Sequence, residues 1–262
     1  MQSDSVKRTF VVAFFLCLFC SVLVSGAAVL LKEKQVENKK LDIKKNLLIA
    51  SGLLDGSEAS KEIIESKFKR VKTIVVDLET NEIVDSVDPE SFEMRKNAKD
   101  PSKNISLDSS VDIAKISKIS KLSKIYLISS DSGSIDKVVL PVHGKGLWST
   151  LYGFLALDKD KKTIKGLGFY EHAETPGLGG EVDNPNWKKT WVNKVAYNES
   201  GKPTIKIVKG SVDPNAKGSE SMVDGLSGAT ITGNGVQALV NFWLSDSGYG
   251  KVLNSLSLEG AI

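Results

Sequence analysis

The chain has 262 residues, room for one medium domain or two small ones, with enough apolar content to form a core. Its formal charge of +3 is spread over many lysines and acidic residues and makes no case for nucleic acid. The only cysteines, Cys17 and Cys20, lie in the first apolar run, and His143 and His172 are the only histidines. A disulfide framework, a thiol nucleophile or cysteine metal site in the soluble part, and a His-rich metal site are thereby excluded.

Residues 10–31 carry no charge, and at about 1.5 Å per residue they give roughly 33 Å of helix, enough to cross a bilayer. Residues 1–32 therefore read as a short N-terminal tail and a transmembrane anchor. A cleaved signal peptide is the competing reading, with Ser25-Gly26-Ala27-Ala28 near a cleavage site, but the apolar run continues through Leu31 and is long for such a segment. Lys7 and Arg8 flank one side and Lys32, Lys34, Lys39 and Lys40 the other, so charge alone does not orient the span.

Residues 33–135 form the first part of the soluble region. Val36, Leu41, Leu47 and Leu48 recur among polar residues, predicting a helix over 33–53 that ends near Gly52, and a second short helix is expected over 57–71. Residues 72–77 and 82–85 read as a hairpin around Glu79-Thr80-Asn81. Across 92–124 the run from Ile116 to Lys124 repeats every three residues, which fits neither a helix nor a strand; it reads as an exposed basic insertion or a partner-docking surface.

Residues 136–262 carry the chemistry. Strands are expected at 125–128 and 137–142 from β-branched content, and a hairpin from 149–157 and 164–171. Between them Gly144-Lys145-Gly146-Leu147-Trp148 is a glycine-flanked turn that sets Trp148 at a strand entrance, as a core aromatic or as a wall for a flat ring. His172-Ala173-Glu174-Thr175-Pro176-Gly177-Leu178-Gly179-Gly180 specifies a tight loop. Its Leu178 plugs the core or supports a planar ligand whose polar edge meets Thr175 and backbone amides. A helix start is expected at Asn184, a strand over 204–209, a polar loop over 213–220 and a helix over 236–244.

Before that last helix stands Asp224-Gly225-Leu226-Ser227-Gly228-Ala229-Thr230-Ile231-Thr232. Small residues and hydroxyls at a helix N-terminus suit an anion, because the first N–H groups lack partners and the macrodipole is positive there; a turn with a helix cap is the plainer alternative. Asp224 to Thr230 resembles the flavinylation motif D-G-x-S/T-G-A-T, in which the last threonine carries FMN through a phosphoester. With the Glu174–Gly179 loop, Gly144 to Ser149, Tyr152-Gly153-Phe154 and the single span, the chain is similar over nearly its whole length to the family of C subunits of sodium-translocating NADH:quinone reductases.

That resemblance implies an α+β fold: one transmembrane helix, then an FMN-binding domain with a mainly antiparallel sheet and flanking helices, outside the bacterial inner membrane on the periplasmic side. It implies FMN bonded to Thr230 by an FAD-dependent flavin transferase, with Ser227, Gly228, Ala229, Glu174, Thr175, Gly177, Leu178, Gly179 and Trp148 around it. Amides near Gly228 and Ala229 would meet the phosphate, Leu178 and Trp148 would keep water from the ring, and Glu174 would disfavour an anionic reduced flavin. The partners implied are the other subunits of the sodium pump, between whose redox centres the flavin relays single electrons. The G subunit of the Rnf electron-transport complex, with the same covalent FMN, is the nearest alternative, and an anchored module with reversibly bound FMN is the alternative of another class.

Overall fold

A computed structural model describes residues 6–55 and 60–258, and packing divides the chain into two units, Met1–Ile43 and Lys44–Ile262. Helix α1 (Val6–Ala50) runs for 45 residues, so the anchor and the helix expected over 33–53 are one element. Neither proline nor glycine interrupts the sequence between Gly26 and Gly52. At Gly52, φ is +71°, and the Gly52 and Leu53 N–H groups bond back to the Ile49 and Leu48 carbonyls at 3.0 and 2.9 Å, the Schellman arrangement that satisfies a helix end. The apolar part of α1 is long enough to cross a membrane and lies wholly exposed.

The larger unit takes in the end of α1, where Leu47, Leu48 and Ala50 are buried. Helix α2 (Lys61–Phe68) follows, capped by the Ser60 hydroxyl accepting from the Ile63 N–H at 3.3 Å. The part of the expected helix at 57–59 lies outside the described residues. Then come β1 (Val71–Asp77), α3 (Met94–Asn97), β2 (Asn104–Ser106), β3 (Lys118–Ser120), β4 (Leu122–Ser129), β5 (Ile135–Lys145), β6 (Thr150–Asp158) and β7 (Ile164–Glu171). The chain closes with α4 (Pro185–Lys189), β8 (Lys206–Ile207), β9 (Met222–Val223), α5 (Thr230–Leu244) and α6 (Gly250–Ser255).

Five strands form one antiparallel sheet in the order β1-β4-β5-β6-β7. Strand alternation buries both of its faces. Val138, Leu140 and Val142 of β5 join a core with Leu239, Val240 and Trp243 of α5, while Val139 of β5 and Phe154 and Ala156 of β6 are buried outside that cluster. On β7, Gly166 leaves room for the Ala50 carbonyl, which brings the end of α1 against the sheet. The result is the expected α+β architecture, an antiparallel sheet with flanking helices.

Local expectations fared unevenly. Only a single bridge, Val76 to Ile83, stands where a strand was expected at 82–85, with the Asp77 N–H on the Glu82 carbonyl at 2.9 Å and the Val84 N–H on the Val75 carbonyl at 2.8 Å, so the expected hairpin is present but short. The strand over 204–209 shrinks to Lys206–Ile207. Residues 92–124 are not simply an exposed insertion. Phe92, Ala114 and Ile119 are buried, β2 pairs with β3, and Arg95 lays its guanidinium 3.4 Å from the Tyr152 ring centre while bonding Glu171 at 2.7 Å. Every third residue of the repeat therefore does not share one environment: Ile116 is half-buried, Ile119 buried, and Leu122 begins β4.

Candidate functional site

Helix α5 begins at Thr230, six residues before the start expected from apolar periodicity. Its first intrahelical bond runs from the Gly233 N–H to the Ala229 carbonyl at 3.0 Å, so the N–H groups of Thr230, Ile231 and Thr232 precede the hydrogen-bonded ladder. Alanine at the cap position brings no side-chain acceptor to them. The Ala229 N–H itself is committed to the Leu226 carbonyl at 3.1 Å, so the amides ahead of the ladder are those of the helix's first turn.

The approach to Thr230 is stitched in place. Trp187 Nε1 donates to the Asp224 carbonyl at 2.8 Å, Asp224 Oδ1 accepts from the Val212 N–H at 2.9 Å, and the Gly225 N–H bonds Gly210 O at 2.7 Å. Gly225 packs so closely on the Val208 carbonyl that a Cβ has no room. Gly228, at φ +67°, makes the turn that leaves Ser227 and Thr230 exposed and buries Leu226 and Ala229. Thr230 and Ser227 open onto a cleft of about 970 Å³ whose far wall includes Trp187 and residues 207–211.

The second loop meets the first at Gly228. A Cβ there would stand 2.9 Å from Leu178 Cδ2, so Leu178 lies over the turn that presents Thr230. It is 45% exposed rather than a core plug. Thr175-Pro176-Gly177-Leu178 is a tight turn, with the Leu178 and Gly180 N–H groups on the Thr175 carbonyl at 3.1 and 2.9 Å and Gly177 at φ +74°. His172 holds the loop's base: Nε2 bonds Asp183 Oδ2 at 2.8 Å and Nδ1 accepts the Glu174 N–H at 3.2 Å. The Asp183 carboxylate raises the His172 pKa above its ordinary 6.5, against the opposing effect of burial.

Trp148 is 67% exposed at the β5–β6 turn, which settles it as a surface aromatic. Its turn is drawn toward α5 because Gly144 and Gly235 let strand and helix touch: a Cβ on Gly144 would sit 2.5 Å from Leu239 Cβ, and one on Gly235 would strike the Lys145 carbonyl. Glu174 does not face an open site. It is 5% exposed, and its two oxygens accept from Leu147 N, Trp148 N, Ser149 N, Ser149 Oγ and Thr232 Oγ1. Burial pushes its pKa up, but these hydrogen bonds outweigh burial and hold it below 4.5. Glu174 is thus a buried carboxylate engaged with its own chain. Sequence reasoning assigned nothing to Ile231, 59% exposed beside Thr230, or to Leu147, 40% exposed beside Trp148. An apolar residue inside a motif of small polar ones was the available signal.

Comparison with known proteins places these loops together. The FMN-binding domain family matches residues 146–245, a span that holds the Trp148 turn, the Leu178 loop and Thr230. The chain is 46% identical over 255 residues to the C subunit of the Na(+)-translocating NADH-quinone reductase of Pseudomonas aeruginosa, covering 97% of each chain. With the protein of that name in Yersinia pestis it shares 43% over 264 residues, 100% of this chain and 96% of the other. Among solved structures, Shewanella oneidensis NqrC superposes with a TM-score of 0.77 at 33% identity, over 86% of this chain and 100% of that one.

Proposed function

The chain belongs to the family of C subunits of Na(+)-translocating NADH-quinone reductases, an oxidoreductase complex, and carries that family's FMN-binding domain; we propose that its FMN is bound covalently, as a phosphoester of Thr230. An FAD-dependent flavin transferase makes the bond. Thr230 Oγ1 joins the flavin-side phosphorus of FAD, the bond from that phosphorus to the AMP oxygen breaks, AMP leaves, and the hydroxyl proton is released. The observation that carries this reading is the exposed Thr230 at the first position of an uncapped helix, with Leu178 over the adjacent Gly228.

FMN supplies one-electron redox chemistry when bound. The chain's own residues do the rest. First-turn N–H groups of α5 and the helix macrodipole stabilise the remaining phosphodiester charge. Leu178 and Trp148 exclude water beside the ring, while Ser227, Thr175, Gly177 and Gly179 border it with short side chains and backbone. Covalent attachment allows a shallow, exposed site that exchanges electrons with redox centres of the other subunits. Helix α1 holds the domain on the periplasmic side of the inner membrane.

In-gel flavin fluorescence after denaturing electrophoresis tests the linkage, with the chain and Thr230→Ala each made alongside a flavin transferase. A bright wild-type band and a dark variant are expected; a dark wild-type band overturns the covalent linkage.

A further inference from the structure

We propose that Glu174 is a positioning residue for the flavin site: its buried carboxylate clasps the Trp148 turn to the first turn of α5 and so sets the indole wall relative to Thr230. The inference rests on the reading of FMN at Thr230. Oε1 accepts from the Trp148 and Ser149 N–H groups at 3.0 Å each and from Ser149 Oγ at 3.2 Å; Oε2 accepts from the Leu147 N–H at 3.2 Å and Thr232 Oγ1 at 2.7 Å. Ser149 Oγ in turn accepts the Ala173 N–H at 2.8 Å, tying the turn back to the strand end that leads into Glu174.

Only an ionised carboxylate fits this set. It accepts at roughly four lone-pair sites and donates nowhere, so every neighbour is a donor. A side-chain amide at the same place would point NH2 at the Leu147 N–H. The surrounding backbone is bare to admit the two oxygens: a Cβ on Gly146 would lie 2.6 Å from Oε1, and one on Gly179 would lie 2.9 Å from Oε2 and 2.6 Å from Thr232 Oγ1. Those glycines belong to the Trp148 and Leu178 loops, and Thr232 to α5, so one carboxylate joins all three pieces of the site. The turn closes on itself through the Gly146 N–H and the Ser149 carbonyl at 2.8 Å, and Glu174 joins its tip to Thr232 of α5. Leu147 and Trp148 are 40% and 67% exposed, and the domain core does not include them.

The test uses the full chain in detergent, made alongside a flavin transferase, as wild type, Glu174→Gln and Thr232→Val. Three readouts are compared: in-gel flavin fluorescence, amide hydrogen exchange of residues 147–149, and the visible circular dichroism of the flavin. Glu174→Gln is expected to keep a bright band, to exchange those three amides at least about tenfold faster, the factor for one lost charge-assisted hydrogen bond, and to alter the visible dichroism. Thr232→Val removes one of the five donors and is expected to shift both readouts less in the same direction; if Glu174→Gln fails to accumulate, this variant decides. Bright bands with unchanged exchange at 147–149 overturn the clasp. Faster exchange with unchanged dichroism overturns its bearing on the flavin. A dark wild-type band sinks the covalent reading instead, and the exchange data still judge the clasp.

Discussion

Gly235 sits inside α5, where helix propensity alone favours alanine by up to about 1 kcal/mol. The contact argues the other way and wins, because the atom a Cβ meets is the Lys145 backbone carbonyl, which has no rotamer to take it aside. Gly235→Ala is expected to destabilise the fold by about 1–3 kcal/mol in urea denaturation, the usual cost of overpacking. Glu174 supplies a pH signature at the same scale. Its folded-state pKa lies below 4.5, so its contribution is complete above pH 4.5 and is lost as pH falls through the folded value. Melting temperatures of wild type and Glu174→Gln should therefore differ most near neutrality and converge on acidification; a constant gap would contradict the sign. Thr230, Leu178 and Trp148 were legible as distinctive residues of their loops because small polar neighbours leave a large or reactive side chain conspicuous, and all three are exposed. The partners of Glu174 were not, since Thr232 lies 58 positions away in the chain.

At the scale of elements, the start of α5 shows what periodicity misses. Thr230 to Gly235 holds two threonines, an asparagine and two glycines, poor helix formers that mask the first turns. Tertiary contact overrides propensity there: Thr232 and Gly233 are buried, and Gly235 is pressed onto the end of β5. The lysine-rich segment shows the converse, since its composition hid a few buried anchors, Phe92, Ala114 and Ile119, within an otherwise solvated stretch. Arg95 pins α3 to β6 and β7 through Tyr152, Tyr170 and Glu171. Arg95→Ala is expected to speed tryptic cleavage at the lysines between residues 96 and 121 several-fold while β5, β6 and β7 stay protected; an unchanged cleavage rate would show that β2 and β3 hold the segment unaided.

At the scale of the whole molecule, the boundary that matters falls within α1. Its apolar stretch is exposed, whereas Leu47, Leu48 and Ala50, at 1%, 0% and 3% exposure, belong to the core of the larger unit. A chain beginning at residue 44 is expected to fold and remain in aqueous solution. One beginning at residue 52 forfeits two buried leucines, each worth about 2–5 kcal/mol on the truncation scale, and should melt at a markedly lower temperature. Equal melting temperatures would contradict the assignment of those residues to the core. The same boundary explains why the anchor and the helix after it were legible from sequence as two pieces and not as one element: an uncharged run declares a span, while the polar turns that follow show only their own apolar repeat.

Taken alone, the sequence determined the span, the hairpin of β6 and β7, the helix-start hydroxyl motif at Thr230 and the loop that carries Leu178, because each is written in contiguous residues whose period, turn chemistry or missing charges act locally. Only the tertiary structure decided that Leu178 lies on Gly228, that Trp148 is exposed, that the lysine-rich segment anchors itself through buried Phe92, Ala114 and Ile119, and that Glu174 turns inward to five donors. Those outcomes rest on contacts between residues far apart in the chain, where burial and hydrogen-bond satisfaction, rather than local preference, set the lowest free energy.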